Sequence, residues 1–255
     1  HIDIKNLILP YWLLNSEELE ELFLDTEAND HNQRNVFKEA ILFNKKSKYS
    51  GNKADLERIH YDSPLFFDIS EILVYVENRN NEKKDKKNVI QWKDETEEFP
   101  FNEKNSSKLF NGKLESIGSS ATGTLNGKLI NFINRLENKI NDKRLEFLLG
   151  EDAKNISFND VIKQFIGYKS KKIEKNTNVT IIDLSGIPFE VLSITVSLIS
   201  RILFEYGYFY KKLLDAEKKD CETPLLLIYE EAHKYVPKSD LTRYRSSKVA
   251  IERIA

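Results

Sequence analysis

The sequence predicts an α/β protein, in which part of a parallel-sheet core is joined to a large, mostly helical insertion. Two short apolar runs, residues 179–183 and 225–229, have the pattern of strands buried on both faces. Residues 188–214, between the two runs, carry apolar side chains on nearly every face of a helix. A strand, a helix and a second strand in this order favour a parallel pair with a right-handed crossover.

Composition limits the kinds of protein to which the chain can belong. Its 255 residues suffice for one large domain or two small ones, and 31% are charged. The net charge of −2 gives no overall basic field for nucleic acid, but a local basic channel, or one formed only in a ring, stays open. The single cysteine, Cys221, fits a reducing compartment, and we expect a cytoplasmic protein. No apolar run approaches the roughly 20 residues of a membrane span, so we expect no membrane association.

The first part of the chain predicts helices. Residues 1–9 read as a short strand or an entry segment that ends at Pro10. Ser16 is a plausible N-cap for the first helix, and a second helix is predicted over about 33–44. A third helix is expected to begin at Ser70, after Asp68. The charged and amide-rich run at residues 77–88 predicts a solvated linker, with a DNA-binding arm as the alternative.

A glycine-rich stretch, residues 118–128, imitates a phosphate-binding loop. Gly118 and Gly123 have the spacing of the G-x-x-x-x-G-K-[ST] motif, but Thr124 stands where the lysine is needed. The residues before it do not form an apolar strand. We therefore interpret the stretch as a turn that leads into a helix over about 126–140.

Two adjacent carboxylates, Glu230 and Glu231, follow the second apolar run. Open α/β sheets bind ligands at the carboxyl ends of their strands, and this arrangement is that of a Walker B element. Glu230 would then hold Mg²⁺, usually through water, and Glu231 would polarise the attacking water. The alternative is a strand that ends in solvated acids.

Three stretches carry a resemblance to a known family. Residues 228–237 (IYEEAHKYVP), 247–255 (SKVAIERIA) and 179–188 (VTIIDLSGIP) resemble HerA proteins, which are hexameric DNA-translocating ATPases related to FtsK. Residues 7–23 and 62–69 resemble the same family more weakly. The resemblance implies an enzyme that uses ATP and Mg²⁺.

The resemblance also implies how the chain is organised. A partial RecA-like P-loop ATPase core is expected at residues 166–255, a mostly helical insertion at 10–165, and a segment leaving the core at 1–9. In the family, the Walker A loop lies N-terminal to this region, and it is absent here. The chain begins at His1 and contains no methionine, so we expect it to be part of a longer protein, in which activity needs that loop.

The resemblance assigns roles to individual residues. Glu231 matches the catalytic glutamate, whereas the family more often has aspartate at the position of Glu230. Asp183 ends the first apolar run and is either an acid close to the metal ligands or the cap of a turn. His233 either orients Glu231, senses the γ-phosphate or packs in a loop. Arg144 is our choice for the arginine that reaches the nucleotide of a neighbouring subunit, against a plain surface arginine.

The expected partners also follow from the resemblance. We expect a homo-hexamer that acts on double-stranded DNA, with basic contacts from the side chains of Lys234, Lys238, Arg243 and Arg245. An effector such as a nuclease or a sirtuin-like NAD-consuming enzyme is expected in an antiphage defence complex. One alternative is a non-catalytic ring scaffold that assembles such an effector. Another is a conjugative DNA pump, which would share the Walker B element but not the stretches at 179–188 and 247–255.

Overall fold

The chain forms two compact units. One consists of residues 12–145, here called the helical unit, and the other of residues 1–11 and 146–255, here called the terminal unit. The three-part division expected from the sequence stays a prediction. The structure is a computed structural model that describes residues 1–24, 31–166, 179–219, 224–236 and 246–254.

Four α-helices in the described part of the helical unit pack around aromatic side chains. Phe37 lies at the centre, with its ring edge-to-face against Phe23 at 5.6 Å and against Phe132 at 5.5 Å between centroids. Such pairs add about 0.5–1.5 kcal/mol to the free energy gained from burying the rings. The helices are α1 (Ser16–Phe23), α2 (His31–Lys48), α3 (Ile69–Asn80) and α4 (Ile130–Ile140).

The first helix is capped one residue earlier than predicted. The side chain of Asn15 accepts a hydrogen bond from the Glu18 amide, and the Glu18 carboxylate accepts one from the Asn15 amide, each at 2.9 Å. This reciprocal capping box needs an acidic residue three positions after the cap. Glu18 stands three positions after Asn15, whereas Leu19 stands three after Ser16, so the predicted cap at Ser16 is wrong.

A three-stranded antiparallel sheet completes the helical unit. Its strands are β1 (Gln91–Lys93), β2 (Glu98–Pro100) and β3 (Glu115–Ser116), in the order β2-β1-β3. Trp92 on the central strand is fully buried and lies opposite Phe99 and Ser116. Strands of two or three residues are too short to show an alternating pattern, so the sequence did not reveal them.

The polar run at residues 77–88 is a linker only in its second half, where residues 86–88 are exposed. Helix α3 continues through its first four residues, and the side-chain amide of Asn78 donates to two backbone carbonyls, one of them that of Leu109 at 2.8 Å. The side chain of Asn80 accepts from the Leu129 amide at 2.8 Å. Buried polar groups are tolerated when they are hydrogen-bonded, which explains why the prediction from composition failed. Four residues of the run are buried: Asn78, Arg79, Asn80 and Glu82.

Arg79 is the charged centre of this polar cluster. Its Nε donates to Glu82 at 3.0 Å, its Nη1 pairs with Glu39, and its guanidinium lies 4.4 Å from the ring centre of Phe101. Burial by itself would lower the pKa of Arg79, but Tyr75, Glu39 and Glu82 raise it above its usual value. The paired acids therefore keep the buried arginine charged.

The glycine-rich stretch wraps against the end of this cluster. A Cβ atom at Gly123 would lie 2.3 Å from the Glu82 carbonyl oxygen, and one at Gly118 would lie 2.6 Å from the backbone of Lys83. The Leu125 amide donates to the Glu82 carboxylate at 2.8 Å. The two glycines therefore allow close backbone approach, and the predicted turn is confirmed, although helix α4 begins at Ile130, later than expected.

The described part of the terminal unit is dominated by one long helix, α8 (Phe189–Ala216). It begins one residue after the predicted start at Pro188, which is instead its N-cap, and its first half is buried. The second half instead exposes Phe204, Tyr208, Phe209 and Leu213, so the expectation of burial on nearly every face holds only for the first half. No helix in the described stretches has the length and apolar character needed to cross a membrane. The helices are α5 (Glu146–Leu149), α6 (Glu151–Asn155), α7 (Phe158–Phe165), α8 (Phe189–Ala216) and α9 (Ser246–Ile254).

The two predicted core strands are not formed as expected. In the first, Ile182 makes a single parallel bridge with Ile2. In the second, residues 225–229 have no strand pairing, and Leu226 and Ile228 are each 78% exposed. A parallel strand becomes buried only when other strands and helices cover it, and the described residues provide no such neighbours here. The class observed is mixed α/β, with a small antiparallel sheet and many helices.

Candidate functional site

The paired carboxylates lie in a compact turn, residues 229–235, here called the acidic turn. It follows an extended segment and contains one turn of 3₁₀ helix, Ala232–Lys234. The Lys234 amide donates to the Glu231 carbonyl at 2.9 Å, and the Tyr235 amide donates to the Ala232 carbonyl at 3.1 Å. These bonds close the backbone immediately after the two acids.

Glu231 has an unusual backbone conformation. Its φ of 51° and ψ of 34° place it in the left-handed region, where side chains with a Cβ atom are uncommon. Such a conformation costs about 1–3 kcal/mol and persists only when surrounding contacts hold it. Glu231, the strained residue, is also the residue predicted to be catalytic.

Glu231 and His233 come together in this turn. His233 Nδ1 lies 3.3 Å from Oε2 of Glu231, which is ion-pair distance when the imidazole is protonated. Both side chains are exposed, at 62% for Glu231 and 74% for His233, so solvent reaches the carboxylate. Of the roles left open for His233, this geometry supports contact with Glu231.

The start of the acidic turn is hydrogen-bonded to a buried hydroxyl group, that of Ser200 in α8. The Tyr229 hydroxyl donates to Ser200 Oγ at 2.7 Å, and Ser200 in turn donates to the Val196 carbonyl at 2.6 Å. Ser200 lies in the buried half of α8. Sequence reasoning did not assign a function to Ser200, although the recurring serines among the apolar residues of this helix were a usable signal.

A second hydroxyl contact lies at the end of the turn. The Ser247 hydroxyl in α9 donates to the Tyr235 carbonyl, and Ser247 Oγ lies 3.1 Å from Ser193 Oγ in α8. The Ser247 amide also donates to Ser193 Oγ at 3.2 Å. Both serines are buried, so helices α8 and α9 meet the turn through hydroxyl groups.

Glu230 is exposed, and its backbone is bound within the turn. The Tyr235 hydroxyl donates to the Glu230 carbonyl. Partial burial, followed by the nearby Tyr229, Glu230 and Glu231, raises the pKa of Tyr235. The hydroxyl is protonated at neutral pH, as that of an ordinary tyrosine is, so it can donate this bond.

Asp183 lies in a different turn of the terminal unit. Its carboxylate accepts a hydrogen bond from the Ser185 amide at 3.0 Å, and this bond lowers the pKa of Asp183. Its own amide donates to the Ile2 carbonyl at 2.7 Å. This geometry supports the turn-cap role left open for Asp183.

Arg144 belongs to the helical unit. Its guanidinium binds Asp142 through Nη2 at 2.7 Å and Nε at 3.0 Å, and these bonds lower the pKa of Asp142. A role for Arg144 in a neighbouring subunit stays a prediction. Of the basic residues proposed to contact DNA, Lys234 is exposed in the acidic turn. Lys238, Arg243 and Arg245 lie outside the described residues.

The residues of the acidic turn fit one part of a magnesium–nucleotide site. Within the described stretches, no group of three or more His, Cys, Asp or Glu side chains could hold a metal ion by itself. Mg²⁺ commonly uses one or two carboxylates, with water and phosphate oxygens as its other ligands, so Glu230 suits it. The sequence contains no G-x-x-x-x-G-K-[ST] motif. These residues therefore fit the metal and water side of the site, and not its phosphate cradle.

Comparison with known proteins identifies the class of the chain. It is an ATPase domain of the HerA–FtsK class, because the model of a family in that class matches most of its length. The chain belongs to the family described as "Helicase HerA, central domain", whose model matches residues 1–203. The acidic turn lies after the matched residues. No curated protein matches the chain.

Proposed function

We propose that this chain is part of a subunit of a hexameric, ATP-hydrolysing DNA translocase, in which the acidic turn carries the hydrolytic residues. The observation that carries the proposal is Glu231, a solvent-accessible carboxylate held in a strained conformation beside His233. Strained residues concentrate at functional sites, and a carboxylate beside an imidazole suits the activation of water. Membership of the HerA central-domain family supports the same function.

Glu231 orients water in this proposal. Its exposed carboxylate can accept a hydrogen bond from a water molecule, which increases the nucleophilic character of the water oxygen. His233, 3.3 Å away, limits the orientations of that carboxylate. Glu230 would hold Mg²⁺ through one carboxylate. With Mg²⁺ held by Glu230, charge on the phosphate oxygens of a nucleotide would be neutralised.

The proposal includes a RecA-like parallel sheet around the two apolar runs of the terminal unit. Val179, Ile181, Leu226 and Ile228 are exposed, although their side chains are of the kind that a central parallel strand buries. Further strands beside these runs would remove that apolar surface from water.

The proposed assembly is a homo-hexamer on double-stranded DNA, with an effector such as a nuclease or a sirtuin-like NAD-consuming enzyme. The ring and the DNA substrate rest on the resemblance of residues 179–188, 228–237 and 247–255 to HerA proteins. Lys234 supports a phosphate contact close to the site of hydrolysis, because it is exposed three residues after Glu231.

ATP turnover by the full-length protein tests the proposed function. We expect turnover that double-stranded DNA stimulates, and a loss of about 100-fold or more in Glu231→Gln, because the amide is not a base. Glu252→Gln is the matched control, since Glu252 is an exposed glutamate of α9. Equal and negligible turnover in wild type and Glu231→Gln, with rings still forming, would contradict hydrolysis and leave a non-catalytic scaffold.

A further inference from the structure

We infer that Tyr229, Ser200 and Ser247 are positioning residues, which fix the geometry of Glu231 by attaching both ends of the acidic turn to helices α8 and α9. This inference rests on the proposed function. Each of the three acts through the backbone that carries the two acids.

The attachment at the start of the turn has a defined direction. Ser200 donates its hydroxyl hydrogen to the Val196 carbonyl, so the lone pairs of Ser200 Oγ accept from Tyr229. Tyr229 is the residue directly before Glu230. The Tyr229–Ser200 bond therefore fixes the position, relative to α8, at which the chain enters the turn.

The attachment at the end of the turn is equally direct. Ser247 donates to the Tyr235 carbonyl, while its amide and its Oγ both contact Ser193 Oγ. Only five residues separate Tyr229 from Tyr235, and they include both acids. A segment this short, bound at both ends, has few alternative conformations available to it.

The strain at Glu231 explains why the attachments matter. A left-handed glutamate relaxes toward the right-handed region when nothing holds it. Relaxation at Glu231 would rotate the peptide groups on both sides and displace its carboxylate. Misplacing a catalytic group by about 1 Å can cost about 100-fold in rate. The buried serines therefore keep in place a carboxylate that is itself exposed.

Steady-state kinetics of the full-length protein tests this inference. Tyr229→Phe removes only the hydroxyl, and Ser200→Ala removes its acceptor. We expect each variant to lower kcat by about 10-fold with KM for ATP unchanged, because the group displaced orients water and does not bind the nucleotide. The double variant should be no worse than either single one, since both remove the same bond. Tyr208→Phe is the matched control, because Tyr208 is an exposed tyrosine of α8.

A second measurement does not depend on turnover. Hydrogen exchange reports on the amides of Lys234, Tyr235 and Val236, which donate to carbonyls within the turn. We expect exchange at these amides to be about 10-fold faster in Tyr229→Phe, Ser200→Ala and Ser247→Ala than in wild type, if the attachments hold the turn.

The outcomes separate this inference from the proposed function. If Glu231→Gln loses turnover while Tyr229→Phe and Ser200→Ala keep wild-type kcat, the positioning role is wrong and the hydrolytic function stands. If wild type shows no turnover, the proposed function fails and the role in hydrolysis fails with it. Unchanged amide exchange in all three variants would overturn the attachment itself in either case.

Discussion

His233 Nδ1, in a single 3₁₀ turn, lies 3.3 Å from Oε2 of Glu231, the left-handed residue that directly precedes that turn. The contact joins two residues separated by only one position in the sequence. In an extended strand, the Cβ atoms of residues two positions apart lie on the same face about 7 Å from each other. The acidic turn contains a carboxylate–imidazole pair, Glu231 and His233, next to the exposed carboxylate of Glu230.

His233 is expected to act through Glu231. We predict that His233→Ala lowers kcat by about 10-fold, less than Glu231→Gln, because the carboxylate remains but is less restricted. Steady-state ATP turnover measures both variants. The double variant should match Glu231→Gln alone, and a further loss in the double variant would show that His233 has an independent role.

Strain at Glu231 predicts opposite effects on stability and activity. Glu231→Gly should raise the free energy of unfolding by up to about 1 kcal/mol, because glycine adopts the left-handed conformation without steric cost, while abolishing turnover. Glu231→Ala is the control, since it also lacks the carboxylate but keeps the Cβ atom. Chemical denaturation measures the difference, and equal stability of the two variants would contradict strain at this position.

The buried arginine of the helical unit is expected to be essential for stability. Arg79→Met should lower the free energy of unfolding by about 3–5 kcal/mol, because Glu82 would then be a buried charge without its partner. Adding Glu82→Gln should recover part of the loss. Arg58→Met is the control, since Arg58 is an exposed arginine with an ion pair to Asp55, and it should cost less than about 1 kcal/mol. Equal losses from Arg79→Met and Arg58→Met would disprove the prediction.

Lys45 is expected to make stability depend on pH. Its buried amine donates to the carbonyls of Tyr61 at 2.6 Å and Ser63 at 2.7 Å. Burial lowers the pKa of Lys45 to about 8, with Asp62 opposing the shift, so between pH 8 and 10.5 the unfolded chain binds more protons than the folded one. Stability should therefore rise with pH across that range, by about 3 kcal/mol.

The comparison that isolates this effect is with Lys45→Met. The other titrating groups are shared by the two proteins, so the difference between their unfolding free energies from pH 7.5 to 10.5 reports on Lys45. The wild-type protein should gain stability relative to the variant as pH rises. A flat difference would mean that the amine titrates near its ordinary pKa of about 10.4 in the folded protein.

Local sequence signals predicted several elements well. Pro188 and the apolar residues after it predicted α8, and Asp68 predicted the start of α3 nearly to the residue. Glycine spacing with Thr124 in place of lysine correctly favoured a turn over a phosphate loop. The two helix starts depend on interactions within a few residues of the chain, which a sequence displays directly. The glycine-rich stretch was decided by the residue types that a phosphate loop requires.

Long-range contacts decided what the sequence could not. The polar run at residues 77–88 looked solvated, because its partners, among them Glu39, Leu109 and Leu129, are far away in the sequence. Residues 225–229 looked like a buried strand, because apolar composition predicts burial only if neighbouring strands are present. Whether a side chain is buried depends on what covers it, and that is a property of the tertiary structure.

The same distinction between local sequence signals and long-range contacts applies to the candidate site. The sequence by itself predicted which residues carry the chemistry, because Glu230, Glu231 and His233 lie within four positions of the chain and their residue types suit metal binding and water activation. Only the tertiary structure showed that Glu231 is left-handed and that Ser200 and Ser247 hold its turn. Hydroxyl contacts between residues 12 to 29 positions apart leave no pattern in a sequence, because they depend on how helices pack and not on local spacing.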